Sequence, residues 1–160
     1  MKLLLSGATL LLFFGLFGCS NDDSGGSVFC SSTQDAPSAF LFADFTATIT
    51  SASVDFCQDT NGTYTGRFES NGTYTLTYQG SEGCDDTSGT FVYAADGNTG
   101  TITAAQTSPE ATTATLALCV TNTEAVEGEI GYVGNYILTA ESAEGNQTGD
   151  FDLVVPDPVI

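Results

Sequence analysis

The sequence predicts an all-β domain, an antiparallel meander of about eight to nine short strands closed into an up-and-down barrel. Three observations predict it. Apolar and polar residues alternate with a period of two, turn residues separate most of the alternating segments, and no helical periodicity is sustained over three turns. Consecutive hairpins favour a barrel, because a β-sandwich generally needs longer connections that cross between its sheets. The β-sandwich is the alternative fold.

Nine segments of the domain carry the alternation. Thr is frequent in them, and it suits the outer face of a half-solvated sheet because it favours extended backbone and tolerates water. The predicted strands are residues 40–50, 63–69, 73–79, 89–95, 99–105, 112–120, 126–133, 135–142 and 149–155.

The clearest hairpin joins residues 63–69 to residues 73–79. Its loop, Ser70-Asn71-Gly72, has three residues, which suits a type I turn with Gly72 in the left-handed region. An odd loop keeps the aromatic residues of both strands on one face, because side chains alternate with period two. The predicted cross-strand pairs are Phe68 with Tyr74, Gly66 with Leu76 and Tyr64 with Tyr78. By the same rule, pairing Tyr93 with Ile102 requires an even loop, which Gly97-Asn98 or the longer Asp96 to Thr99 supplies.

The N-terminus predicts export and anchoring. Residues 1–18 form a secretory signal, in which Lys2 precedes an apolar run of about 15 residues, shorter than the roughly 20 of a membrane span. The run ends in Leu16-Phe17-Gly18-Cys19, which resembles the lipobox of bacterial lipoproteins. That resemblance implies that Cys19 becomes the mature N-terminus and carries diacylglycerol through a thioether.

Residues 19–38 are predicted to hold the lipidated cysteine and a flexible tether rich in Ser, Gly and acidic residues. Ser20 resembles the outer-membrane sorting pattern of proteobacterial lipoproteins, and Asp22-Asp23 resembles surface-export signals of Bacteroidota lipoproteins. These resemblances imply a lipid anchor in the outer membrane, on its periplasmic face or at the cell surface. The β domain follows at residues 39–155, with a C-terminal tail at residues 156–160.

The cysteine count agrees with this organisation. Five cysteines are an odd number, and removing Cys19 leaves an even set for an oxidising compartment. Extending the hairpin register outward places Cys57 within one position of Cys84. Of the three possible connectivities we predict Cys57–Cys84 and, by elimination, Cys30–Cys119. The wide spacing, without a CxxC motif, argues against a zinc site.

Composition excludes several function classes. A formal charge of −18 with two basic residues argues against nucleic-acid binding. The absence of His removes Ser-His-Asp and Cys-His catalytic pairs. We expect no enzymatic activity, no metal and no cofactor. Acid pairs such as Asp85-Asp86 and Asp150 with Asp152 are interpreted as solvated surface, with calcium ligation or sugar hydrolysis as the weaker alternative.

The stretches around the hairpin resemble small lipocalin-like lipoproteins of Bacteroidota. The matching segments are Cys57-Gln58-Asp59, Thr63-Tyr64-Thr65, Phe68 to Tyr74, Cys84-Asp85 and Gly89-Thr90-Phe91. This resemblance implies a lipocalin-like barrel in a lipid-anchored protein of the cell envelope.

A cluster of aromatic residues on one face suggests a binding cavity for a small hydrophobic or amphipathic ligand. Tyrosine combines apolar area with a hydroxyl that needs a partner when buried, which suits a partly wet cavity. The predicted ligand-binding residues are Tyr64, Phe68, Tyr74, Leu76, Tyr78, Tyr93 and Tyr136. Two alternatives remain at this point: these side chains fill a small core, or the domain is a β-sandwich surface or adhesion module with no interior site.

The lipobox resemblance is tested by mass spectrometry of the mature protein isolated from its own membrane. We expect an N-terminal Cys19 with the added mass of a lipid group, and we expect Cys19→Ser to abolish membrane attachment. An unmodified N-terminus at another residue would contradict the assignment.

Overall fold

The computed structural model describes residues 30–40, 42–81 and 83–157. The predicted signal peptide and Cys19 lie outside these residues. The described chain is all-β, and each strand pairs antiparallel with the next one along the chain. Strand β1 also pairs with β8, so the sheet is a closed barrel rather than a sandwich. The strands are β1 Ala43–Ala52, β2 Thr63–Phe68, β3 Thr73–Gln79, β4 Thr87–Asp96, β5 Thr99–Ser108, β6 Thr112–Val126, β7 Glu129–Ala140 and β8 Gln147–Pro156.

The two hairpin registers that the sequence predicts are confirmed. Phe68 faces Tyr74, Gly66 faces Leu76 and Tyr64 faces Tyr78. In the β4–β5 hairpin Tyr93 faces Ile102, across the two-residue loop Gly97-Asn98. The turn glycines Gly72 and Gly97 have backbone φ angles of 80° and 57°, which residues other than glycine rarely adopt.

The sequence placed three strands between residues 112 and 142, where the structure has the two long strands β6 and β7. Two misinterpreted positions explain the difference. The polar stretch after Val120 continues β6 through a register shift between Val120 and Asn122. Gly134 lies in the middle of β7, facing Val120 on one side and Phe151 on the other. The position requires glycine because a Cβ there would lie 1.9 Å from the carbonyl oxygen of Cys119.

The two ends of the barrel differ. The short turns β2–β3, β4–β5 and β6–β7 lie at one end, and residues 30–40 pack against it, so we call it the closed end. The ring of Phe40 is buried there, 4.9 Å from the ring of Phe68 and 4.7 Å from that of Tyr93. The other end, which we call the open end, carries the loops β1–β2, β3–β4, β5–β6 and β7–β8.

Residues 30–38 belong to the folded domain, although their composition suggested the tether. Cys30 forms a disulfide with Cys119, and the amide of Ala36 donates to the carbonyl oxygen of Gly97 at 2.8 Å. A disulfide and backbone hydrogen bonds hold a polar segment in place without requiring much apolar burial, so hydropathy does not reveal it. The second predicted disulfide, Cys57–Cys84, is also formed and joins the β1–β2 and β3–β4 loops.

The close approach at Gly134 gives a stability test within one strand. We expect Gly134→Ala to lower the free energy of unfolding by about 2–3 kcal/mol, because its methyl group would overlap the backbone of β6. Gly131→Ala is the matched control in β7, since its Cβ would have no heavy atom closer than 3.6 Å. Urea denaturation followed by circular dichroism measures both variants. Equal urea midpoints for the two variants would contradict the close packing of Gly134 against β6.

Candidate functional site

The barrel encloses a cavity of about 420 Å³ in its open half. All eight strands contribute to its lining, and so do the four loops of the open end. The lining is mostly apolar, with a few hydroxyl, amide and carboxylate groups. Pockets of this size and character are typical sites for small molecules.

Aromatic side chains form the floor of the cavity. Phe45, Phe68 and Tyr74 are buried and line its inner end. The ring of Phe68 lies 5.5 Å from that of Phe45 and 5.7 Å from that of Tyr74. These rings, with Phe40 packed beneath Phe68, separate the cavity from the closed end.

Small residues create the volume. Ala104, Ala114 and Ala140 are cross-strand neighbours on β5, β6 and β7, and all three line the cavity. Larger residues stand two positions deeper on the same strands, namely Ile102, Leu116 and Leu138. A search of the sequence for large apolar residues does not reveal this belt of alanines. The detectable signal was the small residue at an inward position on three successive strands.

Polar groups tie one wall of the cavity to the β1–β2 loop. The hydroxyl of Tyr136 donates to Oε1 of Gln147 at 3.2 Å, and Nε2 of Gln147 donates to the carbonyl oxygen of Cys57 at 3.0 Å. Tyr136 and Gln147 are each 2% exposed, and burial raises the pKa of Tyr136 above its ordinary value. Within the described chain no buried side-chain nitrogen or oxygen lacks a hydrogen-bond partner. This wall is therefore held in one arrangement.

The rim of the open end is fixed by a disulfide and a buried carboxylate. Cys57 and Cys84 both line the cavity. Asp59 accepts hydrogen bonds from the hydroxyl of Tyr78 and from the amide and hydroxyl of Ser81, the last two at 2.7 and 3.1 Å. These contacts connect the β1–β2 loop to the end of β3 and the loop after it.

Five of the seven predicted ligand-binding residues line the cavity: Tyr64, Phe68, Tyr74, Leu76 and Tyr136. The two others do not. Tyr78 is bonded to Asp59 at the rim, and Tyr93 lies towards the closed end, where its hydroxyl donates to the carbonyl oxygen of Pro37 at 2.7 Å. Period-two alternation identifies an inward face but not the level of a residue along the barrel axis, so it grouped Tyr93 with the others.

The charged groups do not assemble a metal centre among the residues described. No group of three or more His, Cys, Asp or Glu side chains is placed to hold an ion there. Asp150 accepts a hydrogen bond from Nδ2 of Asn135 at 2.6 Å, on the outer surface. Arg67 forms an ion pair with Asp44 at 2.7 Å, also on the outer surface. Within the described chain, no helix has the length and hydrophobicity to cross a membrane.

Comparison with protein-family models, with curated proteins and with solved structures gives no match. The assignment of a function therefore rests on the residues of this chain and on the cavity they form.

Proposed function

We propose that this protein is a lipid-anchored protein of the cell envelope whose lipocalin-like barrel binds a small hydrophobic or amphipathic molecule non-covalently. The observation that carries the proposal is the cavity of about 420 Å³, apolar in lining, closed at one end and surrounded by loops at the other. Eight-stranded barrels either fill their interior with side chains or hold one small ligand. The belt of alanines favours the second arrangement here.

The cavity sets the size of the ligand. At about 30 Å³ for each small group, which is the volume of a water molecule in the liquid, 420 Å³ holds about 14 non-hydrogen atoms. Removal of apolar surface from water would drive binding, at roughly 25 cal/mol for each Å² buried. The hydroxyl of Tyr64 and the amide of Gln106 are among the polar groups of the lining that would orient a ligand.

The position of the N-terminal segment agrees with anchoring through Cys19. Residues 30–40 pack at the closed end, and Cys19 precedes Cys30 by 11 residues, which span at most about 40 Å when fully extended. A lipid on Cys19 would then attach the barrel from its closed end and direct the cavity entrance away from the bilayer. The adhesion alternative depended on a β-sandwich, and the closed barrel gives it no support.

Binding is tested with the full chain carrying Cys19→Ser, which has no lipid attachment point, and an environment-sensitive hydrophobic dye. We expect saturable binding with one dye per chain. Ala104→Phe projects a ring into the cavity and should weaken binding at least about tenfold, by occupying the volume that the dye needs. Ala105→Phe is the matched control, because the neighbouring residue is exposed and faces outward.

Circular dichroism and thermal unfolding establish that both variants are folded. Failure of the folded Cys19→Ser chain to bind the dye would contradict the proposed function. Equal dye affinity in the folded Ala104→Phe and Ala105→Phe variants would place the dye outside the cavity and would also contradict it.

A further inference from the structure

Carboxylates surround the entrance of the cavity. Asp55 and Asp85 line the entrance itself, from the β1–β2 and β3–β4 loops. Every loop of the open end carries at least one acidic residue. Besides Asp55 and Asp85, these loops carry Asp86, Glu110, Glu141 and Glu144. The only basic side chain that the structure describes is Arg67, which lies on the outside of β2 and pairs with Asp44. The potential at the entrance is therefore negative from every loop.

The charges of two of these carboxylates, Asp85 and Asp86, act on the lining of the cavity. Burial, with smaller contributions from the charges of Asp85 and Asp86, raises the pKa of Tyr64 to about 12. A site that disfavours the negative form of a phenol disfavours a negative ligand head group for the same two reasons, desolvation and like-charge repulsion. The polar lining groups are hydroxyls, amides and carboxylates, with no cationic side chain to compensate an anion.

A positive head group meets the opposite conditions. It would find carboxylate partners in Asp55 and Asp85 at the entrance. Below them, the rings of Tyr64 and Tyr136 line the cavity, and the face of an aromatic ring attracts a cation. An apolar tail would extend towards the aromatic floor, where no charged residue lines the cavity.

We propose that the cavity selects an amphiphile with a cationic head group, such as a hydrophobic amine or quaternary ammonium, over an anionic amphiphile of the same chain length. The head group lies between Asp55 and Asp85 at the entrance, and the tail lies against Phe45 and Phe68. This inference rests on the proposed binding function. It adds the charge class of the ligand, which cavity shape alone does not decide.

The test uses three decyl compounds that differ in head group: decyltrimethylammonium and decyl sulfate, each below its critical micelle concentration, and decanol below its solubility limit. Isothermal titration calorimetry of the full chain carrying Cys19→Ser measures their dissociation constants. We expect the cation to bind about tenfold or more tightly than the sulfate, with decanol between them. The difference should narrow as ionic strength rises to about 0.15 M, because the carboxylates at the entrance are exposed and screened by salt.

Substitution assigns the selectivity to the entrance. Asp55→Asn with Asp85→Asn keeps the side-chain shape and removes two charges, and it should weaken binding of the cation about tenfold more than binding of decanol. Asp96→Asn with Asp152→Asn is the matched control, since both carboxylates are exposed and neither lines the cavity. It should leave all three affinities close to those of the parent chain.

The outcomes separate this inference from the proposed function. Tight binding of decanol with equal or weaker binding of the cation would overturn the charge selectivity and leave the binding function intact. Equal loss of cation affinity in the Asp55→Asn/Asp85→Asn variant and the control would also overturn it, because net charge alone would then explain the preference. Binding of none of the three compounds would overturn both proposals.

Discussion

The antiparallel pairing of β1 with β8 closes the barrel. It joins the first strand to the last, from Asp44 opposite Val154 to Ala52 opposite Gln147. Closure removes both edges of the sheet, so every strand has a partner on each side. It also turns one face of a twisted sheet into an enclosed interior. Without that pairing the eight strands would present their apolar side chains to water, and no cavity would exist.

Strand pairing alone would leave the two ends of the barrel alike. The segments that connect and cover the strands make the two ends different. Residues 30–40 cover one end, held by the Cys30–Cys119 disulfide and by the buried ring of Phe40. The other end has longer loops, braced by the Cys57–Cys84 disulfide. Each disulfide therefore fixes one end, which leaves the strand interior free to carry small side chains. The alanines of β5, β6 and β7 are tolerated because stability is supplied by the aromatic floor and the closed end rather than by filling the open half.

The fold class, two hairpin registers and the Cys57–Cys84 disulfide are predictable from the sequence, because each depends on local rules of alternation and turn length. The Cys30–Cys119 disulfide then follows by elimination. Features that depend on long-range geometry were not predicted. Gly134 was interpreted as the boundary between two strands, although it provides space for the backbone of β6. Tyr93 shares the inward face of the barrel, but its level along the axis places it beside Pro37. The alanine belt emerges only when three strands are set in register. Such facts depend on which residues far apart in the chain become neighbours.

We propose that the open half of the barrel binds the ligand, whereas the closed half is packed core. Chemical-shift mapping by nuclear magnetic resonance, on the isotopically labelled Cys19→Ser chain with a bound hydrophobic dye, tests this proposal. We expect the dye to shift the methyl signals of Ala104, Leu116 and Leu138, which line the cavity, and to leave the exposed Val92 unchanged. Shifts confined to Phe40, Phe91 and Tyr93 would place the ligand at the closed end and contradict the account.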